Sequence, residues 1–233
     1  MNYIFAIQLL ISFIVGGGFI TLLSFLAEKA DKKIAGIIIT FPTTIALSYF
    51  FLGWTQSSEV ISSIVPTSMI ILGISVLFAI AYAHSAQYFN KISTNKILKI
   101  SLTFIVSIIL WLILAIPIVL FQISSLIIGV IGYLTLVSFS YLLIKNTAHQ
   151  EAIQLNYTLK QKTYRGIFVG LVIFLVVLFG KILNPFWSGM FATFPIVFLL
   201  ALIIIHWYHG SKYLFVSVIE YLLGRFLYSH MLL

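Results

Sequence analysis

Long apolar runs with few charges recur along the whole of this 233-residue chain. Hydrophobic residues make up 62% of it and charged residues 8%, whereas soluble domains are about 45–50% apolar and ~25% charged. Each run is close to or above the ~20 residues that an α-helix needs to cross a bilayer. The chain is therefore predicted to be an all-α polytopic membrane protein that contacts membrane lipid along its length.

The runs predict about eight transmembrane helices. The least secure boundary lies between Ile97 and Ile144, where a single helix would be about 70 Å long, more than twice the ~30 Å hydrocarbon core. That run must turn back, and the stretch from Pro117 to Ser125 is the predicted turn because it is polar and contains a helix breaker. The predicted spans are 3–27, 34–54, 60–83, 97–117, 123–144, 166–183, 187–208 and 213–232.

The basic residues divide unequally between the two sides of these spans. One side receives the segments 28–33, 84–96, 145–165 and 209–212, which with their helix ends hold 11 of the 13 Lys and Arg residues. The positive-inside rule then places these loops in the cytoplasm and both termini outside, in the plasma (inner) membrane. The net charge of +8 is attributed to these loops, so no nucleic acid partner is predicted.

Two segments 153 residues apart carry the same pattern of residues. A glycine, a Thr-Phe-Pro triplet and a tryptophan occur at Gly36, 40–42 and Trp54, and again at Gly189, 193–195 and Trp207. Five crossings separate equivalent points, so the two copies are predicted to be inverted, as in transporters with a midplane site. The first unit is predicted at 1–90 (spans 1–3) and the second at 164–233 (spans 6–8). Helices 4 and 5 with their loop, 91–163, either link the units or complete a five-helix first unit.

The first copy resembles a known motif. The stretch 35–44, Ala-Gly-Ile-Ile-Ile-Thr-Phe-Pro-Thr-Thr, follows Ala-Glu-Lys at 27–29 and is similar to the motif of small GlpM-like membrane proteins. That resemblance implies an integral inner-membrane protein and no particular chemistry. The five-helix offset resembles the drug/metabolite transporter layout in topology only, and eight spans depart from it.

The Thr-Phe-Pro triplets are the predicted substrate pathway. A proline inside a membrane helix leaves a backbone carbonyl without its partner, and that carbonyl must be satisfied internally. Broken helices of this kind can line a cavity. The alternative is a simple kink near the interface. The predicted pathway residues are Thr40, Phe41, Pro42, Thr43, Thr193, Phe194 and Pro195.

Glu220 is the candidate coupling residue. It is flanked by apolar residues inside the last span, where an acid costs at least ~2.5 kcal/mol. A buried acid that changes its protonation could couple transport to protons. The alternative is a neutral glutamic acid that holds helices together or pairs with a basic residue. Its repeat equivalent is Thr67, so the predicted site is asymmetric.

Small residues define predicted packing or hinge surfaces, and a homodimer formed through them is a further expectation. These surfaces consist of Gly16, Gly17, Gly18, Gly36, Gly170 and Gly189. His206 and His209 flank Trp207 and Tyr208, which favours an aromatic belt over a metal site. The chain has no cysteine, so neither disulfides nor thiol chemistry is available. No metal, cofactor or enzyme activity is predicted.

The sequence therefore favours a small secondary transporter that moves a small polar metabolite or ion by alternating access, with proton coupling as an option. An oligomeric channel and a non-transporting subunit of a membrane complex are the alternatives. Few charged residues occupy the spans, which makes a multiply charged substrate less favoured.

Overall fold

A computed structural model describes residues 3–30, 42–144 and 158–223 of the chain, with the backbone alone at 27–28 and 220–223. Within these ranges all regular secondary structure is helical. The helices are α1 (Tyr3–Lys29), α2 (Thr43–Thr55), α3 (Ser58–Ile92), α4 (Lys96–Phe121), α5 (Leu126–Ile144), α6 (Leu159–Ile182), α7 (Pro185–Ala192), α8 (Ile196–Tyr208) and α9 (Leu214–Leu223), with a 3-10 turn at Ser211–Tyr213.

Among the described residues, 6 helical segments are long and apolar enough to cross a membrane. They are α1, α3, α4, α5, α6 and the segment Pro185–Tyr208, which contains α7 and α8. The chain is thus an all-helical integral membrane protein. The other two predicted spans, 34–54 and 213–232, lie partly outside the described residues, which cover them with α2 and α9.

The longest helix, α3, is the centre of the fold. Its 35 residues would reach about 50 Å. In its most apolar 18-residue stretch, 72% is buried inside the protein, against 22% for α4 and 17% for α5. α4 and α5 pack mainly on α3 and contact few other helices. Their outer faces are therefore exposed and carry isoleucine and leucine side chains. Such faces suit contact with lipid tails.

α5 runs parallel to α3. A methyl group on Gly129 would lie 2.7 Å from Pro66 Cα, and one on Gly73 would lie 2.8 Å from Leu136 Cβ. The residue numbers of the contacts increase together along α3 and α5, so the two helices are parallel. This is expected because a single antiparallel helix, α4, connects them. Glycine allows the two backbones to approach closely at Gly129.

α1 and α6 pack against each other through glycine in the opposite sense. A methyl group on Gly17 would lie 2.6 Å from the Gly166 carbonyl oxygen, and one on Gly170 would lie 2.7 Å from the Phe13 carbonyl oxygen. Later residues of α1 contact earlier residues of α6, so the two helices are antiparallel. Gly17 and Gly170 also contact each other, with a methyl on Gly17 lying 3.4 Å from Gly170 Cα.

Several helix limits differ from the sequence prediction. α4 continues through Pro117 to Phe121, and the turn is made by residues 122–125, beginning with Gln122 in the left-handed region at φ 48°. α3 continues to Ile92, into the segment predicted as a loop at 84–96. α6 begins at Leu159, before the predicted unit boundary at 163/164, because Thr158 and Gln161 form a reciprocal capping box.

Candidate functional site

The predicted seventh span is two helices separated by a break. α7 ends at Ala192, α8 begins at Ile196, and Thr193–Pro195 lie between them. Pro195 has φ −81° and ψ 51°, and the Ile196 N–H donates to the Phe194 carbonyl at 2.8 Å. These are the marks of an inverse γ-turn. The proline therefore interrupts the helix completely, beyond the kink that the sequence left as an alternative.

Pro42 adopts nearly the same conformation, with φ −76° and ψ 56° at the start of α2. Its carbonyl accepts from the Ala46 N–H at 3.0 Å, as the Pro195 carbonyl accepts from the Leu199 N–H at 2.8 Å. Each proline thus starts a new helix with its own carbonyl as the first acceptor. Neither proline side chain caps its helix.

The carbonyl released by the break at Pro195 has a tertiary partner. Ser75 Oγ, from the middle of α3, lies 3.0 Å from the Thr193 carbonyl oxygen and 3.0 Å from the Ile71 carbonyl of its own helix, so its one proton is shared between them. The indole N–H of Trp111 donates to Ser75 Oγ at 3.1 Å. Ser75, Trp111 and Thr193 are all buried. Hydrogen bonds shielded from bulk water in this conformation therefore fix the break to α3 and α4.

Aromatic packing supports the same junction. The Phe194 ring lies edge-on to Trp111 at a centroid distance of 5.0 Å and at 6.1 Å from Phe78. Such pairs contribute about 0.5–1.5 kcal/mol beyond area burial. The Thr193 hydroxyl shares its proton between the carbonyls of Gly189 and Met190 in the preceding turn of α7.

A second polar group gathers where the end of α2 and the start of α7 meet α6. We call it the junction cluster: Gln56 and Ser188 beside Gly180, and Ser48 about two turns before Gln56 on α2. A methyl group on Gly180 would collide with Gln56 Nε2 and would lie 2.7 Å from Ser188 Oγ and 2.6 Å from Leu52 Cδ1. Ser48 is one turn from Leu52 on the same face of α2. The buried atoms Ser48 Oγ, Gln56 Nε2 and Ser188 Oγ have no hydrogen-bond partner in the described part of the chain.

Different side-chain contacts join the helices at the other end of the molecule. The Tyr82 hydroxyl and His206 Nδ1 are 3.5 Å apart, and both residues are buried. Lys96 Nζ lies 4.6 Å from the centre of the Trp207 ring, and the His84 ring stacks edge-on against Phe215 at 4.7 Å. His209 packs on Tyr213 rather than beside His206. Over the ranges described, no group of three His, Cys, Asp or Glu side chains could hold a metal ion.

The predicted site residues are placed as follows. Thr193, Phe194 and Pro195 form the break, Pro42 is exposed and Thr43 half-buried at the start of α2, and Glu220 lies on α9 with its side chain outside the description. Gly16 and Gly17 are buried in α1, Gly18 is exposed, Gly170 is buried in α6 and Gly189 in α7. Gly36, Thr40 and Phe41 lie outside the described residues.

Sequence reasoning missed the residues that hold or surround the break. Ser75 and Trp111 belong to α3 and α4, which share no pattern with the Thr-Phe-Pro triplets. The only available signal was that a serine and a tryptophan inside apolar spans both need hydrogen-bond partners. Gln56 and Ser188 lay near predicted span ends and were not considered.

No protein-family model matches the chain, and neither a curated protein nor a solved structure matches it. The geometry of the break and of its surroundings is therefore the basis for assigning a function.

Proposed function

We propose that the protein is a small secondary transporter, in which two inverted units alternate to move a small polar metabolite or ion across the membrane. The break at Thr193–Pro195 lines the pathway in this proposal, together with the equivalent Thr-Phe-Pro triplet of the sequence at 40–42 and the adjoining Thr43. The observation that carries it is the relationship between the two halves of the chain, which extends from sequence to helix limits and contacts.

The helix limits support two equivalent units. An offset of 153 residues takes the ends of α2, Thr43 and Thr55, onto the ends of α8, Ile196 and Tyr208. It also takes the last residue of α1, Lys29, onto the last residue of α6, Ile182, and the first residue of α3 onto the 3-10 turn at Ser211. Chance similarity of a short motif would not align helix ends over the rest of the two segments.

The contacts between α1 and α6 support the inversion. Gly17 and Gly170 are equivalent under the same offset, and they contact each other in an antiparallel helix pair. The pairs Gly17–Gly166 and Phe13–Gly170 exchange under that offset and have nearly equal spacing. A residue that contacts its own equivalent is the sign of a two-fold relationship, and an antiparallel pair fits an axis in the membrane plane.

The contacts at the helix ends support the proposed orientation. The start of α6 contacts the end of α1, where Lys162 Nζ lies 4.8 Å from the centre of the Phe25 ring. The start of α4 contacts the end of α8 through Lys96 and Trp207. We assign this basic end to the cytoplasm and both termini to the outside of the plasma membrane. Glu220 on α9 remains the proposed proton or cation site.

The test of alternating access is a reversible lock at the basic end. Lys96→Cys with Trp207→Cys places one thiol on α4 and one on α8, in a chain without native cysteine. Asn90→Cys with Lys99→Cys is the matched control, because it joins α3 to α4 at the same end, where Lys99 Nζ already bonds Asn90 Oδ1 at 2.8 Å.

Both pairs are reconstituted in liposomes and treated with a cleavable bifunctional thiol reagent, and the flux of acetamide, acetate and K⁺ is measured. Saturable flux that stops only in the Lys96/Trp207 pair, and returns on reduction, supports the proposal. Flux that continues through both cross-linked pairs, with unitary currents in planar bilayers, identifies a channel. No flux of any solute in the untreated protein favours a non-transporting subunit.

A further inference from the structure

The three unpaired atoms of the junction cluster call for a partner that the described residues do not supply. Leaving a buried donor or acceptor unsatisfied costs about 1–3 kcal/mol each, and native structures contain few such groups. Ser48 and Ser188 are both 0% exposed, so bulk water does not reach them in this conformation. Gln56 Nε2 and Ser188 Oγ converge at Gly180 of α6, and the Ser48 hydroxyl lies about two helical turns before Gln56 on α2. These unpaired buried atoms are therefore the feature to be explained.

We propose that the junction cluster of Ser48, Gln56 and Ser188 at Gly180 is a binding site for a small uncharged solute that presents an oxygen acceptor, such as a carboxamide. This inference rests on the proposed transport function and names the class of its substrate. The site lies between α2 and α7, the two short helices adjacent to the proline turns, and α6.

The chemistry of the three atoms selects an acceptor. An amide nitrogen only donates, and a serine hydroxyl both donates and accepts. Gln56 and Ser188 therefore offer up to three protons at Gly180, and Ser48 offers one more further along α2. A carbonyl oxygen can accept at least two of them, and the amide N–H groups of a carboxamide can donate to the serine oxygens. The same set cannot satisfy an apolar molecule.

The surroundings select an uncharged solute. The nearest ionisable side chains in the sequences of α3 and α6 are Glu59 and Lys181, and both are exposed. Within the described residues, the elements packed at Gly180 place apolar or neutral side chains there. A charge buried between these helices without a paired counter-charge would be costly, whereas a neutral solute is held by hydrogen bonds alone.

Gly180 limits the solute to a small one. Any side chain at this position would occupy the point at which Gln56 and Ser188 approach α6. Gly189, the next small residue of α7 after Ser188, similarly allows α7 to approach Ser68 and Ile64 of α3. Gln56, Leu52 and Ser188 fill this point in the present conformation, so the proposal requires α2 and α7 to move apart from α6 and admits a solute of only a few heavy atoms.

A comparison with Ser75 separates binding from structure. Ser75 is fully bonded, to Thr193 and Trp111, as expected for a hydroxyl that holds helices together. The hydroxyls of the junction cluster have no hydrogen-bond partner among the described residues, so replacing them by apolar groups of similar size should leave stability equal or higher. A binding site whose groups are unpaired in the empty protein has this property.

The experiment measures acetamide binding to the full chain in nanodiscs by saturation-transfer NMR, with acetate as the isosteric anion. Wild type is compared with Ser188→Ala, Gln56→Met and Ser48→Ala. Ser62→Ala is the control, because its hydroxyl is exposed and bonds only the Glu59 carbonyl. Thermal midpoints of all variants are recorded, and we expect none of the three cluster variants to fall below wild type.

We expect acetamide to bind wild type and Ser62→Ala equally, and each cluster substitution to weaken binding about tenfold for the hydrogen bond removed. Acetate that binds as well as acetamide overturns the uncharged class. Acetamide binding that is absent, or unchanged in all three variants, overturns the site and leaves water as its occupant. Binding needs no transport, so a site that passes this test survives a failed lock experiment, and the reverse also holds.

Discussion

Trp111 donates its indole proton to Ser75 Oγ at 3.1 Å, and Ser75 in turn meets the Thr193 carbonyl that the Pro195 break releases. The break between α7 and α8 is thereby connected to α3 and α4. A proline break inside a membrane protein is tolerated when neighbouring helices satisfy the freed groups. Here one hydroxyl on α3 does so.

Ser75→Ala should lower the free energy of unfolding by about 1–3 kcal/mol, because it leaves the Trp111 N–H and the Thr193 carbonyl unpaired in a buried place. Trp111→Phe should also destabilise the protein, and the two effects should not add, because both substitutions break the same bond. Unfolding in detergent by chemical denaturant gives all three values. Thr135→Ala on α5, whose exposed hydroxyl bonds only its own helix, is the control. Additive losses would show that Ser75 and Trp111 act separately.

Gly17→Ala and Gly170→Ala should each destabilise the protein by about 1–3 kcal/mol, because the new methyl groups meet backbone carbonyl oxygens that cannot move independently. Gly18→Ala is the matched control, since nothing lies within 4 Å of its added carbon. It should leave stability equal or raise it by up to ~1 kcal/mol through helix propensity. The thermal midpoint of the purified protein distinguishes these outcomes. A tolerated Gly17→Ala would exclude close packing of α1 on α6.

Glu59→Cys and Lys212→Cys should react with a membrane-impermeant thiol reagent from opposite sides of the membrane. The two positions are equivalent under the 153-residue offset, and both side chains are exposed. We expect Glu59→Cys to be labelled in intact cells and Lys212→Cys only after lysis. Leu183→Cys and Thr94→Cys, exposed in the turns after α6 and α3, serve as outside and inside references. Labelling of both test positions from one side would exclude inverted units.

Glu220→Gln should abolish uptake driven by an imposed pH gradient, because the amide cannot take up or release a proton. Uptake down a solute gradient should persist, since the substitution preserves size and hydrogen bonding. Glu59→Gln is the control acid, exposed at the start of α3. Uptake of labelled solute into proteoliposomes measures both modes, and an internal pH dye reports the accompanying proton movement. Unchanged pH-driven uptake in Glu220→Gln would remove its coupling role and leave a structural one.

The sequence predicted the elements that depend on local composition. Apolar runs located the helices because each must bury about 20 residues in lipid, and the need to turn between α4 and α5 followed from length alone. The observed turn at 122–125 lies within the predicted stretch from Pro117 to Ser125 but begins later than its start. Pro117 fits within α4, and the turn begins at Gln122, whose left-handed conformation no pattern of apolar residues reveals.

The environment of the break depended on tertiary contacts and could not be predicted. The freed carbonyl was expected to find a partner inside the protein. The Thr193 hydroxyl bonds the preceding turn, and Ser75, 118 residues away in sequence, is the partner. The distance between Gln56 and Ser188 in sequence likewise hides their meeting at Gly180. Hydrogen-bond partners between helices are set by packing, which periodicity does not encode.

The central position of α3 also bears on how the sequences of homologues should diverge. Each residue of α4 and α5 that faces lipid can exchange among Ile, Leu, Val and Phe without a change in any contact with protein. Residues of α3 meet α2, α4, α5, α7 and α9 around its circumference, so nearly every exchange there alters at least one helix–helix fit. Over evolutionary time, α3 should therefore accumulate substitutions more slowly than the helices on either side of it, even though it carries neither proline turn.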